Sequence, residues 1–197
     1  MKSFKNFHSI QKCRSCSSKQ LTKIFNLGYQ CFGGIFPPTK KHYVPTGPLE
    51  LIKCTKCQLI QLKHNFNREK MFGTNYGYES GINKSMKEHL RIVVQHSLKN
   101  ISLKRDDVII DIGSNDATLL NFLKNRKQKL YGIDPTINKK FKKYYNKNIY
   151  RISKLFDNIA TDTLQKKIKR AKIIFSIAMF YDLPNPIQFC ENIKKLI

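Results

Sequence analysis

Residues 108–117 read Val108-Ile109-Ile110-Asp111-Ile112-Gly113-Ser114-Asn115-Asp116-Ala117, and this stretch decides the fold. Apolar residues broken by a single acid, then a glycine and small polar residues, describe a buried strand that turns tightly into a helix. The glycine lets backbone approach a ligand closely, and the helix N-terminus favours an anionic group such as a carboxylate. Asn115 or Asp116 can cap a helix running to about Lys127. Downstream the pattern alternates: a strand at 130–133, a basic helix at 138–146, a strand at 149–152, a helix at 157–169, a strand at 173–178 and a last helix at 186–196. Such repeated strand–helix units predict an α/β domain on a parallel, doubly wound sheet. Upstream, Met86, Leu90, Val93, Val94 and Leu98 recur at helical spacing and predict a helix over 83–100.

A second element supports a nucleotide-type ligand. Gly132-Ile133-Asp134 closes the second strand, and an acid there can accept both ribose hydroxyls. A dinucleotide fold would want Gly-x-Gly-x-x-Gly, and only Gly113 is present. Class I methyltransferases want instead an acid ending the first strand and then a glycine-containing turn. The expectation is therefore S-adenosylmethionine, with Asp111, Gly113, Asn115, Asp116 and Asp134 as cofactor-binding residues.

Residues 1–80 form the expected first domain, and 81–197 the second. The first is loop-rich, with short strand-like pieces at 49–53 and 59–62 and two cysteine pairs, Cys13-x-x-Cys16 and Cys54-x-x-Cys57. Two thiolates separated by two residues can face one ion, and two such knuckles complete a tetrahedral Zn2+ site. Four thiolates leave no open position, so the expected zinc is structural. Cys31 and Cys190 are expected to be ordinary buried thiols; His42 is a substitute ligand we do not favour.

Hydrophobic residues make up 41% of the 197, enough for packed cores. The N-terminus lacks the apolar stretch of a secretory signal, and the longest apolar run, 173–181, is too short to span a bilayer. A cytoplasmic location without membrane contact is expected. The formal net charge is +24. The lysines are scattered over predicted helices, which reads as solvated faces; a phosphorylated substrate remains open, and nucleic acid is not expected.

Four stretches, in order, carry a resemblance. They are Cys13-Arg14-Ser15-Cys16; 48–57 running on to Gln61-Leu62; Asn75-Tyr76-Gly77-Tyr78-Glu79-Ser80-Gly81; and 111–116. A fifth, 176–184, follows the fourth strand. Together they span nearly the whole chain, which resembles the zinc-containing sugar C-methyltransferases that act on nucleotide-linked 4-keto-deoxyhexoses. The resemblance implies an N-terminal zinc module, a Rossmann-like class I methyltransferase sheet, and C-methylation through an enolate, which needs a positioned base and donors for the oxyanion. It further implies Tyr76 and Tyr78 as residues for substrate contact or proton handling, and Tyr181 in the cofactor pocket. The family histidine near Tyr181 has no match, and His89 and His96 are expected to be structural or exposed.

The family pattern continues past four strands, so the sequence is expected to hold a partial sheet: a truncated product, one part of a split enzyme completed by a second chain, or a member reduced to binding. Two other functions compete: an RNA-modifying zinc-containing methyltransferase, and a non-catalytic remnant.

Overall fold

Among the described residues, five strands and one short helix build the first unit in chain order: β1 (Phe7–Ser9), β2 (Leu21–Cys31), β3 (Thr46–Cys54), β4 (Ile60–Leu62), β5 (His64–Phe66) and α1 (Arg68–Phe72). The computed structural model describes residues 6–73 and 75–197. They fall into two compact units: the residues up to Gly77 with Pro184–Ile187, and Tyr78–Leu183 with Gln188–Ile197.

In the first unit β1 pairs antiparallel with β5, while β2, β3 and β4 form an antiparallel sheet in that order. This is more strand than the loop-rich reading anticipated. The physical reason lies in β2, which is exposed from Thr22 onward and so carries no buried–exposed alternation. Its ladder to β3 breaks register between Lys23 and Phe25 and again between Asn26 and Tyr29, next to left-handed Gly28 (φ +72°). Few large apolar side chains are buried here, among them Phe32, Ile35 and Ile52.

The second unit contains α2 (Lys84–Lys99), β6 (Val108–Ile112), α3 (Thr118–Asn121), β7 (Lys129–Ile133), β8 (Ile149–Ile152), α4 (Asn158–Gln165), β9 (Ala171–Ser176) and most of α5 (Pro186–Lys194). Asn83 caps α2, its side-chain oxygen accepting from the Ser85 and Met86 N–H groups. The strands form one parallel sheet in the order β8-β7-β6-β9. The chain thus steps outward from β6 and returns to its other side. Such a reversal leaves a crevice at the carboxyl ends of the strands.

Alternation along the strands gives each face its own core. Ile109, Leu130 and Ile149 pack with Leu90 and Val94 of α2 and with Leu119 and Leu120 of α3. Ile110, Ile112, Ile133 and Ile152 pack on the opposite side with Ala160 and Leu164 of α4 and Phe189 of α5. The result is a sheet between two helical layers.

Three expected elements differ. The helix after β6 is the single turn α3; Phe122, Leu123 and Arg126 donate to carbonyls three residues back, tightening the chain into successive turns. The basic helix at 138–146 is instead a π-helical turn, Ile137–Phe141, running into the 3-10 turn Lys142–Tyr144. The Thr136 carbonyl there accepts from the N–H groups of Lys139, Lys140 and Phe141. The fourth strand stops at Ser176, because Ala178 is left-handed (φ +54°) and cannot extend it. Among the described residues no helix is long and apolar enough to cross a membrane.

Ile110 is fully buried at the centre of the sheet. Ile110→Ala should cost about 2–5 kcal/mol of stability in urea unfolding; a cost below about 1 kcal/mol would show that this position is not in a packed core.

Candidate metal centre and ligand loop

The two cysteine knuckles are built alike. Ser17 N–H donates to the Cys13 carbonyl at 3.0 Å and Gln58 N–H to the Cys54 carbonyl at 2.9 Å. Ser17 and Gln58 are both left-handed (φ 59° and 64°). The Cys13 and Cys54 N–H groups return to the Ser18 and Leu59 carbonyls at 2.8 and 2.9 Å. Each turn therefore aims two thiols the same way.

The four sulfurs lie within 4.8 Å of one another, with Cys13–Cys57 and Cys16–Cys54 each at 3.6 Å. A disulfide needs about 2.05 Å. A tetrahedral Zn–S length of about 2.3 Å sets neighbouring sulfurs about 3.8 Å apart, so the cluster suits zinc. His42 is exposed and outside it. Cys31 and Cys190, expected to be buried, are exposed: Cys31 ends the exposed strand β2, and Cys190 lies on the exposed side of α5.

Electrostatics point the same way. Burial raises the Cys13 thiol, but the Cys16 and Ser15 N–H groups and the Gln61 and Cys57 side chains outweigh it and hold it at about 6. The Cys57 N–H draws Cys54 down against burial. Cys57 moves oppositely: the Leu59 N–H favours its thiolate, yet desolvation and the three neighbouring thiols push it up to about 12. Four thiolates in one cluster need a cation among them.

The sequence reading assigned no role to the side chains that brace this site. Gln61, buried on β4, donates from its amide nitrogen to Cys13 Sγ at 3.3 Å, while its oxygen accepts from Arg14 N and Nη1, both at 3.1 Å. Arg14 also donates to the Leu62 carbonyl at 2.6 Å and to Asn65 Oδ1 at 2.6 Å. The first knuckle is thereby bolted to β4 and β5. An Arg inside Cys-x-x-Cys and a Gln four residues after the second pair were the available signal.

In the second unit, the loop after β6 holds three left-handed residues: Gly113 (φ 75°), Asn115 (φ 48°) and Ala117 (φ 61°). From Val108 to Ala117, Gly113 alone is exposed. Gly113 and Ser114 donate to the Ile133 carbonyl at 2.8 and 3.2 Å, tying the loop to the end of β7. Asp134 Oδ2 accepts from Asn115 N at 3.1 Å, and Oδ1 accepts from Thr136 N at 2.8 Å and from the Thr136 hydroxyl. Burial still raises the Asp134 carboxyl above its usual range. Asp111 is buried and rises further, through desolvation and then the charges of Asp134 and Asp116.

Beneath the loop, the buried Tyr145 hydroxyl donates to the Asn115 carbonyl at 2.8 Å, so the Ser114 hydroxyl, 2.7 Å away, must donate to it. Gly132 leaves the room: a Cβ there would lie 2.6 Å from the Tyr145 ring and 2.9 Å from Ser114 Oγ. Neither Ser114 nor Tyr145 was singled out from sequence.

Of the remaining expected residues, Tyr78 and Tyr181 lie close enough to interact: burial, then Asp182 and Tyr78, raise the Tyr181 hydroxyl. Tyr76 lies in the first unit, bridged to Ile35 and edge-on to Phe72 at 5.5 Å. Tyr78 belongs to the second unit and is 37% exposed, its carbonyl accepting from Asn115 Nδ2. Tyr181, in the 3-10 turn Phe180–Asp182, is 75% exposed. His89 and His96 are exposed on α2.

Comparison with known proteins gives one family match inside the first unit and one relative. Residues 13–72 match the methyltransferase-associated family described as “Putative zinc binding domain”. Its span starts at Cys13 and contains both knuckles, so the family match and the four-cysteine cluster agree on zinc binding by residues 13–72. A 91-residue stretch is 29% identical to the C-methyltransferase NovU of Streptomyces niveus, covering 46% of this chain and 21% of that protein. The two findings together make the chain similar to zinc-binding C-methyltransferases. The match spans about a fifth of the relative's length.

Cys54→Ser should abolish stoichiometric zinc in elemental analysis; one zinc per chain in that variant would remove Cys54 from the ligand set. Gln61→Leu should keep one zinc at saturation but lower its affinity about 10- to 100-fold in chelator competition, as loss of a ligand-orienting donor does. Unchanged affinity would make Gln61 a packing residue only.

Proposed function

We propose that the second unit binds S-adenosylmethionine and that the protein serves C-methylation of a nucleotide-linked 4-keto-deoxysugar. The observation that carries the reading is the loop 111–117, with exposed, left-handed Gly113, at the strand-order reversal beside β6 and facing Asp134 at the end of β7. The order β8-β7-β6-β9 in a parallel sheet with helices on both faces supports the reading, since it matches the first four strands, 3-2-1-4, of a doubly wound sheet. The name of the C-methyltransferase relative supports the reaction class.

The residues suit the cofactor. Asp134 already accepts three hydrogen bonds and keeps acceptor capacity for a ribose hydroxyl. A side chain at Gly113 would be strained on its left-handed backbone and would press on Met179, with a Cβ 3.0 Å from Met179 Sδ. The charges acting on Asp111 are two other carboxylates, and a cationic ligand relieves that conflict. When bound, the cofactor supplies an electrophilic methyl group. The chain's own contribution would be positioning: the loop backbone would hold the methionine part, with Tyr181 beside the cofactor. Tyr76 and Tyr78 supply substrate contact or proton handling; a keto sugar needs donors where oxyanion charge develops.

Calorimetric titration of S-adenosylhomocysteine into the zinc-loaded chain should show saturable binding, and Asp134→Ala should weaken it at least about tenfold with the fold retained. Equal affinity in the variant would mean that Asp134 does not hold the ribose. A folded wild-type chain that binds nothing would overturn the proposal.

A further inference from the structure

We propose that Asn115 and Asp116 are positioning residues that couple occupancy of the ligand loop to the placement of Tyr78; this rests on the cofactor reading above. Both side chains are buried, and both are directed at one short segment of backbone. Asn115 Oδ1 accepts from Ser80 N at 3.0 Å, and Asn115 Nδ2 donates to the Tyr78 carbonyl at 3.0 Å. One amide thus reads both sides of the chain as a neighbouring strand would. Asp116 Oδ2 accepts from Gly81 N at 2.7 Å, and its other oxygen accepts from Thr118 N and Oγ1 at 3.2 and 2.6 Å. The approach is close enough to require glycine: a Cβ on residue 81 would lie 2.8 Å from both Asp116 Oδ2 and Thr118 Oγ1. Between these clamps, Glu79 pairs with Lys140 at 3.2 Å.

The same asparagine is fixed from behind. Its N–H donates to Asp134 and its carbonyl accepts from Tyr145, while its backbone sits at φ 48°. The proposed ribose acceptor and the proposed substrate-facing tyrosine are therefore joined through one residue: Asp134 holds the Asn115 backbone, and the Asn115 side chain holds Tyr78 and Ser80. A ligand that engages Asp134 or stiffens the loop acts on Tyr78 through this path. Asn115 and Asp116, expected as cofactor-binding residues, then also act through the loop, and binding of the cofactor prepares the substrate side.

Amide hydrogen exchange of Ser80 and Gly81, read by NMR with and without saturating S-adenosylhomocysteine, tests the coupling. In the wild type the ligand should slow both amides about tenfold, the weight of one stabilised hydrogen bond. Asn115→Gly keeps the left-handed backbone available; there Ser80 should exchange about tenfold faster and stop responding to ligand. Asn115→Asp retains an acceptor for Ser80 N–H and should restore the response at Ser80. Ligand that binds the wild type by calorimetry yet leaves both amides unchanged would overturn the coupling while sparing the cofactor reading. No calorimetric binding would overturn the cofactor reading and the coupling with it.

Discussion

Four sulfur atoms within 4.8 Å of one another form the constraint on which the first unit depends. Thiolates so close repel, and without a cation one of them must keep its proton, as the opposed shifts of Cys13 and Cys57 record. Zinc removes the conflict and contributes about 10–16 kcal/mol of apparent free energy in small metal-dependent folds. A unit with so few large buried side chains and a long exposed strand needs such a contribution. The surrounding hydrogen bonds serve the same end: matched left-handed turns present the sulfurs, Gln61 stabilises one of them, and Arg14 carries the restraint into β4 and β5.

The second unit spends its stability differently. Two apolar layers hold the sheet firmly enough to sustain a loop with three left-handed residues, two of them not glycine. Each such residue costs about 1 kcal/mol or more. Tyr145, Ser114, Asp134 and the Ile133 carbonyl offset that cost by fixing the loop from below and beside. Strain concentrated at the carboxyl edge of a parallel sheet is where a binding function is expected.

Much of this was legible in the sequence because the relevant signals are local. The paired Cys-x-x-Cys knuckles, the apolar run ending Asp111-Ile112-Gly113 and the helical spacing of Met86, Leu90 and Val94 in α2 each announce themselves within a few residues. What was hidden depends on contacts between distant residues. Gln61 reaches Cys13 across 48 positions, and Tyr145 reaches Ser114 across 31. β2 was missed because an exposed strand has no alternation, and the π-helical turn because its buried Ile137 and Phe141 also suit an ordinary helix. Asn115 and Asp116 were legible as loop residues, but their grip on residues 78–81 required the fold.

The zinc unit carries the family-model match, and the coordination of its metal is the most direct check on the account. X-ray absorption at the zinc edge of the purified chain should report four sulfur neighbours at about 2.3 Å and no nitrogen or oxygen in the first shell. A mixed shell with a water or histidine ligand, or a folded chain without zinc, would contradict the tetrathiolate site and the ordering role assigned to it.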